Sequence, residues 1–398
     1  MPSVFKCLYL VVFLLSISTR EVGGDAVSDL QTKGRTQINA QLAKSKTCTA
    51  ANLQVRKEWG DVSVADRKAY IKAVLCLINA PSKLPVGKFP GAQTRYEDFV
   101  VTHMQQTPNI HGTGNFLSWH RYFTWVYEQA LRIECGYNGT QPYWDFGKWA
   151  ADPEKSPIFD GSDTSMSGNG AKFSHKATAM GPAQNGGGCV DKGPFAKHVN
   201  NPLLKDLDLG IDSFCTSSLV LLHLHGLSSP VSAVADPAPP RNPQTNGYGV
   251  NTRCLRRDIG PYLSTRSTTT AQLASVITSS KDIGSFQNTL QAQGMNGNIG
   301  IHSGAHYTIG SDPGGDFYTS PNDPAFWLLH GQIDRLWTIW QSQDLPNRLQ
   351  VIAGGTAIFG GGQQKLTDSV DVSNVHAKVW QIKDLVSVTD GPFCYVYE

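Results

Sequence analysis

The chain has 398 residues, 40% of them hydrophobic and 17% charged, and its 34 basic and 32 acidic residues leave a formal net charge of +2. This is the composition of a globular protein long enough to bury a substantial core. A charge this close to neutral argues against nucleic acid as the main ligand. The 39 glycines and 22 prolines indicate long loops between regular elements.

The N-terminal segment has the pattern of a secretory signal peptide. Lys6 supplies the positive start, and residues 7–15 (CLYLVVFLL) form an apolar run of the right size. A membrane-spanning helix needs roughly 20 apolar residues, so this run is too short to be one. We therefore predict a signal peptide at approximately residues 1–24. Residues 25–398 are then expected to form a single domain of a secreted, extracellular protein.

The cysteines fit an oxidising compartment. Cys7 belongs to the predicted signal peptide, and the others lack the C-x-x-C pairs of zinc sites, so we expect disulfides. An odd number remains, which leaves at least one thiol unpaired, and the pairing does not follow from the sequence. These cysteines are Cys48, Cys76, Cys135, Cys189, Cys215, Cys254 and Cys394. The sequon at Asn138 is a candidate glycosylation site.

Hydrophobic periodicity predicts a mainly α fold. Residues 116–135 are rich in aromatic side chains on more than one side, which is typical of a buried helix. Irregular loops are expected over residues 152–200 and 233–248, and short strands over residues 370–398. The predicted helices cover residues 26–46, 62–77 with Ser63 as the cap, 96–106 ending before Pro108, 116–135, 270–293 and 322–343.

Six of the 11 histidines fall into two groups of three. In each group, two histidines are close together and the third lies on the next predicted helix. The first two members of the second group are four residues apart, so on a helix they point to the same side. The first group is His103, His111 and His120, and the second is His302, His306 and His330.

Two all-histidine groups favour a pair of transition metals. Neutral imidazoles suit copper, zinc, iron or nickel, whereas calcium, magnesium and the common non-haem iron site require carboxylates. Structural zinc usually has four ligands, and catalytic zinc remains open for either group alone. A single buried histidine is more often structural, but two clusters favour ligands. A pair of one-electron metals such as copper can reduce O2 by two electrons in one step.

Two segments resemble the copper signatures of tyrosinases and hemocyanins. Residues 111–128 (HGTGNFLSWHRYFTWVYE) place a histidine before Phe, then Trp-His-Arg, and a Glu eight residues after that second histidine. Residues 323–334 (DPAFWLLHGQID) place Asp-Pro-x-Phe before a histidine and an Asp four residues after it. Further stretches at residues 55–59, 141–145 and 395–397 resemble short fungal polyphenol oxidases. The similarity covers nearly the whole mature chain.

The resemblance implies a fold and an activity. It implies a helical bundle with long irregular loops and a few short strands, enclosing two copper ions held by one histidine group each. It further implies an enzyme that oxidises o-diphenols (catechols) to o-quinones with O2 as co-substrate, reduced to water. Small phenols are then the expected partners, with neither nucleic acid nor membrane. The chain ends one residue after its terminal tyrosine pair, so we expect no C-terminal shielding domain.

Several positions depart from the family pattern. Asn109 replaces the cysteine that many relatives cross-link to the second ligand, and Leu329 replaces the first histidine of a common pair. Ser303 stands where strongly monophenol-hydroxylating relatives carry Asn, and Gln293 where they carry a water-orienting Glu. Phe317 matches the position of a bulky gate in some catechol oxidases. These residues favour a catechol oxidase over a full tyrosinase.

Other readings of the same site stay open. A full tyrosinase and an oxidase of substituted phenols such as o-aminophenols are the nearest alternatives. A hemocyanin-like O2 carrier is a remote one, since carriers exclude phenols with an extra domain, and a zinc hydrolase is another.

Four residues near these motifs have predicted structural roles. Asp334 is expected either to orient a metal ligand or to pair with Arg335. Arg56 is expected to stack on the terminal tyrosines. His223 and His225 alternate as in a strand, where a buried structural role is expected.

Overall fold

The computed structural model describes residues 25–196, 223–224, 227–228, 241–292 and 299–398. The predicted signal peptide, Gln293, Cys215 and His225 lie outside these residues, and only the backbone of His223 is described. Across the described part of the chain, no helix combines the length and the apolar character that crossing a membrane requires.

Helices dominate the described residues, as the sequence predicted. The longest are the two that carry the aromatic signatures. The helices are α1 (Ala26–Leu42), α2 (Val64–Asn79), α3 (Arg95–Ile110), α4 (Phe116–Cys135), α5 (Pro261–Ser267), α6 (Thr270–Ser279), α7 (Ile283–Gln291), α8 (Gly300–Ile309), α9 (Ala325–Ser342) and α10 (Leu345–Arg348), with 3-10 turns at Trp59–Asp61, Pro153–Lys155, Ser320–Asn322 and Ile382–Asp384.

Several helix predictions were wrong in their limits, and the helix predicted over residues 26–46 ends at Leu42. The helix predicted to end before Pro108 continues to Ile110, because the proline removes only one N–H close to the helix end and the flanking Thr107 and Ile110 are buried. The single helix predicted over residues 270–293 is two helices. Asp282 starts the second, since its carboxylate accepts from the backbone N–H of Ser285.

Within the described residues, the strands form four short two-stranded sheets. β1 pairs with β8 in parallel, with Val55 opposite Val396, and the other three pairs are antiparallel. β6, β7 and β8 confirm the strands expected near the chain end. The strands are β1 (Gln54–Arg56), β2 (Gly170–Lys172), β3 (Gly187–Val190), β4 (His223–Leu224), β5 (Arg253–Cys254), β6 (Ser369–Val372), β7 (His376–Gln381) and β8 (Tyr395–Tyr397).

The core of the bundle is formed by α2, α3, α4 and α9, which pack against one another. All 18 residues of α9 are buried. Phe99 and Trp327 meet edge to face at 5.7 Å between ring centroids, and Tyr127 stacks on Trp327 at 3.7 Å. Aromatic packing of this kind confirms that α4 is a buried helix and fixes the relative positions of the helices that carry histidines.

Three disulfides lie within the described residues. They join Cys48 to Cys394, Cys76 to Cys135, and Cys189 to Cys254. The first closes a sequence separation of 346 residues beside the β1–β8 pair, and the second ties α2 to the end of α4. The expectation of disulfides is confirmed.

Candidate dicopper centre

The first histidine group is assembled from two helices and the loop between them. His103 lies on α3, His111 directly follows α3, and His120 lies on the second turn of α4. One ring nitrogen from each lies within 4.8 Å of the others, and all three residues are buried. Gly112 has a φ of 64°, a conformation that favours glycine, and it turns the chain from α3 towards α4.

The second group comes from α8 and α9. His302 and His306 lie one turn apart on α8, with ring centroids 4.7 Å apart, and His330 faces them from α9. Their nitrogens again lie within 4.8 Å of one another. This confirms the prediction that the two histidines, four residues apart, lie on one side of a helix.

The two groups lie directly against each other. The rings of His120 and His330 stack with centroids 4.4 Å apart and an interplanar angle of 9°. His111 and His302 lie 5.9 Å apart across the same gap. Two metal ions held by these groups would therefore be close neighbours.

Backbone carbonyls orient four of the rings. A carbonyl oxygen only accepts hydrogen bonds, so each contacting Nδ1 carries the proton and leaves the Nε2 lone pair free for a metal. Phe326 packs against His330 at 4.2 Å between centroids. The Nδ1 contacts are His103 to Tyr318 at 2.8 Å, His111 to Thr107 at 2.9 Å, His120 to Phe116 at 2.8 Å and His306 to Gly314 at 3.0 Å.

The free nitrogens show that the groups fit a metal. The Nε2 atoms of His103, His120, His302 and His330 are buried, and none has a hydrogen-bond partner within the described residues. An unsatisfied buried nitrogen costs free energy, so four of them converging on one gap require ligands that are not protein atoms.

Burial keeps these imidazoles neutral. Desolvation is the main reason that the pKa of His111 and that of His306 fall to about 4. The same burial lowers the pKa values of the other four histidines well below the ordinary value, and neighbouring histidines lower them further. At neutral pH all six rings are therefore available as ligands. Six neutral imidazoles without a carboxylate suit copper.

A cavity of about 440 Å³ opens over both groups. His111, His302 and His306 form its floor, and Ser303 and Phe317 line its wall. Their roles at a substrate site stay predictions. The Phe317 ring lies 4.8 Å from that of His111. Gln293, the other predicted residue, falls outside the described part of the chain.

Several wall residues were missed by the sequence analysis. Gln291, Ile358 and Phe359 also line the cavity. The side chain of Gln291 accepts from the backbone N–H of Gly112 at 2.7 Å, which ties α7 to the loop of His111. The sequence signal for this wall is the apolar pair Ile358–Phe359 within a glycine-rich stretch. The pair lies outside both copper motifs, so the sequence analysis did not connect it with the site.

A buried charge network joins the two histidine-bearing helices. The carboxylate of Asp334 on α9 accepts from Arg121 on α4 and lies 3.5 Å from Arg56. It neither contacts a metal ligand nor pairs with Arg335, so both predictions for Asp334 were wrong. Arg335 pairs instead with Asp145 at 3.0 Å. Asp334 lies one helical turn beyond His330, so its carboxylate meets Arg121 of α4 and Tyr395 of β8, further along the helix than the metal position.

The predicted stacking of Arg56 on the terminal tyrosines is confirmed. Its guanidinium lies 3.6 Å from the ring centroid of Tyr395 and 5.9 Å from that of Tyr397. It also pairs with Glu128 at 2.5 Å, and Arg121 pairs with Asp334, so both Glu128 and Arg121 have structural roles in this network.

The fold and the site together define a type-3 copper protein, in which two adjacent copper ions are each held by three histidines. The family model for the common central domain of tyrosinase matches residues 93–343. The chain belongs to the tyrosinase family, and it is a copper-dependent oxidase of the tyrosinase and polyphenol oxidase type.

Individual relatives and a solved structure support the same family. The chain is 35% identical to tyrosinase P of Aspergillus terreus over 359 residues, covering 86% of this chain and 91% of that protein. It is 32% identical to N-acetyl-6-hydroxytryptophan oxidase of Emericella nidulans, covering 91% and 96%. A mutant of polyphenol oxidase from Thermothelomyces thermophila superposes with a TM-score of 0.79 at 34% identity, covering 94% and 98%.

Proposed function

We propose that this protein is a secreted catechol oxidase, which converts o-diphenols to o-quinones and reduces O2 to water. The observation that carries the proposal is the cavity whose floor is formed by histidines of both groups. A small phenolic ring entering it would meet both metal positions at once. The names of the relatives, a tyrosinase and an aromatic hydroxyl-compound oxidase among them, support a phenolic substrate.

The reaction balances as two diphenols and one O2 giving two quinones and two waters. Two copper ions, when bound, supply the electron transfer between the diphenol and O2. The protein holds them through His103, His111 and His120 on one side and through His302, His306 and His330 on the other. Because burial lowers the pKa of His111 and of His306 to about 4, both rings are neutral at neutral pH and can bind metal.

The cavity wall orients the substrate. Phe317 lies beside His111 and offers an aromatic face against which a phenolic ring would pack. Ser303 adds a short hydroxyl at the same wall. Since the resemblance associates strong monophenol hydroxylation with an Asn here, we propose that o-diphenols are oxidised well and monophenols poorly. The role predicted for Gln293 stays a prediction, since this residue lies outside the described part of the chain.

Secretion belongs to the same proposal. Residues 1–24 would direct export, and residues 25–398 would form one catalytic domain. Three disulfides within the described residues and fungal relatives are consistent with an oxidising destination. N-terminal sequencing of protein from the culture medium tests this, and intact protein that stays in cells contradicts it.

O2 uptake by the copper-loaded protein tests the activity. We expect uptake with catechol, loss of uptake after chelation, and recovery with Cu²⁺ but not with Zn²⁺. Uptake with tyrosine at a rate comparable to catechol would instead make the protein a full tyrosinase. Reversible O2 binding without oxidation of any phenol would make it a carrier and would overturn the proposal.

A further inference from the structure

One apolar loop projects at the mouth of the copper cavity. Residues 354–363 (GGTAIFGGGQ), called the rim loop below, place Ile358 and Phe359 on the cavity wall. The side chain of Phe359 is 92% exposed, the highest value among the exposed large hydrophobic side chains of the described residues. An exposed aromatic ring at a cavity mouth is a contact surface for a ligand.

The rim loop is held in place at its base. The backbone N–H of Ile358 donates to the carbonyl of Pro108 at 2.8 Å, and that of Gly114 donates to the carbonyl of Gly355 at 2.9 Å. Both partners flank His111, so the loop is fixed to the same segment as a metal ligand. The position of Phe359 relative to the metals is therefore set by the backbone.

Glycines shape the tip. Gly360 and Gly361 have φ values of 87° and 85°, which other residues rarely adopt, and the N–H of Thr356 donates to the carbonyl of Gly362 at 2.9 Å. This tight turn leaves the Phe359 ring exposed at the tip of the rim loop.

The rest of the wall is apolar or uncharged. Among the described residues that line the cavity, there is no lysine or arginine. The single acid, Asp316, is buried, and its Oδ1 accepts from the backbone N–H groups of Tyr318 and Thr319. Ala292 and Phe317 continue the apolar surface from the floor to the rim loop. Among the described residues, such a wall offers no cationic partner for a substrate carboxylate.

We propose that the rim loop selects o-diphenols that carry an uncharged, apolar substituent on the ring, which contacts Phe359 and Ile358 while the hydroxyls face the histidines. This inference rests on the proposed diphenol oxidation. It names the substrate class as alkyl- or aryl-substituted catechols, in preference to bare catechol and to amino-acid catechols such as dopa.

Binding of compounds that cannot form an o-quinone tests the proposal without turnover. Copper-loaded protein is titrated with resorcinol and with 4-hexylresorcinol. We expect the wild type to prefer the hexyl compound, and Phe359→Ala to lose about 10-fold of that preference, as for roughly two buried methylene groups. Phe359→Leu should restore most of it. Phe173→Ala, which removes a 50% exposed ring away from the cavity, should change nothing.

Turnover separates the two proposals. The ratio of kcat/KM for 4-tert-butylcatechol to that for dopa should fall in Phe359→Ala and stay constant in Phe173→Ala. The role of the rim loop would be overturned if the wild type and Phe359→Ala prefer 4-hexylresorcinol over resorcinol to the same extent. It would also be overturned if the wild type shows no such preference, even if catechols are oxidised. A lost preference without oxidation of any catechol would uphold the rim loop and overturn the oxidase activity.

Discussion

The hydroxyl of Tyr395 donates to the carboxylate of Asp334 across 2.6 Å, which links β8 to the helix that carries His330. Tyr397 donates to the same carboxylate at 2.5 Å. The end of the chain is thereby fastened to the core from within. Because Arg121 also binds this carboxylate, α4 and α9 are held in one relative position, and with them the stacked rings of His120 and His330.

Asp334→Asn should strongly destabilise the protein. The guanidinium of Arg121 has no solvent exposure, and the substitution leaves it without a counter-charge. Removing one partner of a buried ion pair typically costs about 3–5 kcal/mol of unfolding free energy. Urea denaturation monitored by fluorescence measures this loss.

A surface ion pair supplies the control. Asp163 pairs with Lys68 at 2.7 Å, but both side chains are about half exposed. Asp163→Asn should therefore cost less than about 1 kcal/mol. Equal effects of the two substitutions would mean that the Asp334 network does not hold the helices together.

The sequence predicted the helical scaffold and all six histidines because both leave local patterns. Hydrophobic periodicity and spacing place His302 and His306 on one helix, and the aromatic run of residues 116–135 marks a buried helix with its observed limits. Such patterns depend on neighbours within a few residues.

What the sequence could not provide depends on distant contacts. The carbonyl that orients His103 belongs to Tyr318, 215 residues away, and the bonds of Asp334 reach α4 and β8. The position of the rim loop beside the cavity likewise depends on the backbone hydrogen bond from Ile358 to Pro108. Only the folded chain brings these pairs together, so no spacing rule predicts them.

His330→Ala should reduce copper to one ion per chain. The substitution removes one of three ligands from the second group and the stacked partner of His120. Since two-electron reduction of O2 requires both metals, kcat/KM for catechol should fall by at least about 1,000-fold, or roughly 4 kcal/mol of barrier. Metal analysis and O2 uptake measure the two effects.

His376→Ala is the matched control. His376 is a partly buried histidine that bonds the hydroxyl of Tyr122 at 3.0 Å and belongs to neither group. Two copper ions per chain should remain. Two ions in His330→Ala as well would contradict the assigned ligand set.

Copper affinity should be nearly independent of pH between about 8 and 5. Protons compete with copper for the same nitrogens, and burial lowers the pKa of His111 and of His306 from 6.5 to about 4. Because the pKa is lowered, protons compete with copper only at lower pH. At pH 5, such a ring is protonated in roughly a tenth of the metal-free molecules. Dissociation constants from chelator competition should rise only below about pH 5. A rise beginning near pH 6.5 would show that the folded apo-site does not bury these rings.

Gly304→Ala should damage the second copper site selectively. Gly304 lies on α8 between His302 and His306, and a methyl group there would stand 2.5 Å from the Cβ atom of Ser267 on α5. That atom is attached directly to the backbone, so relief requires α8 to move away, at a cost of about 1–3 kcal/mol. The first group lies on other helices and should keep its copper. Gly87→Ala, where nothing lies within 4 Å, should retain both ions and full stability. If Gly304→Ala also retains both ions at wild-type affinity, close packing of α8 on α5 is not what positions the second group.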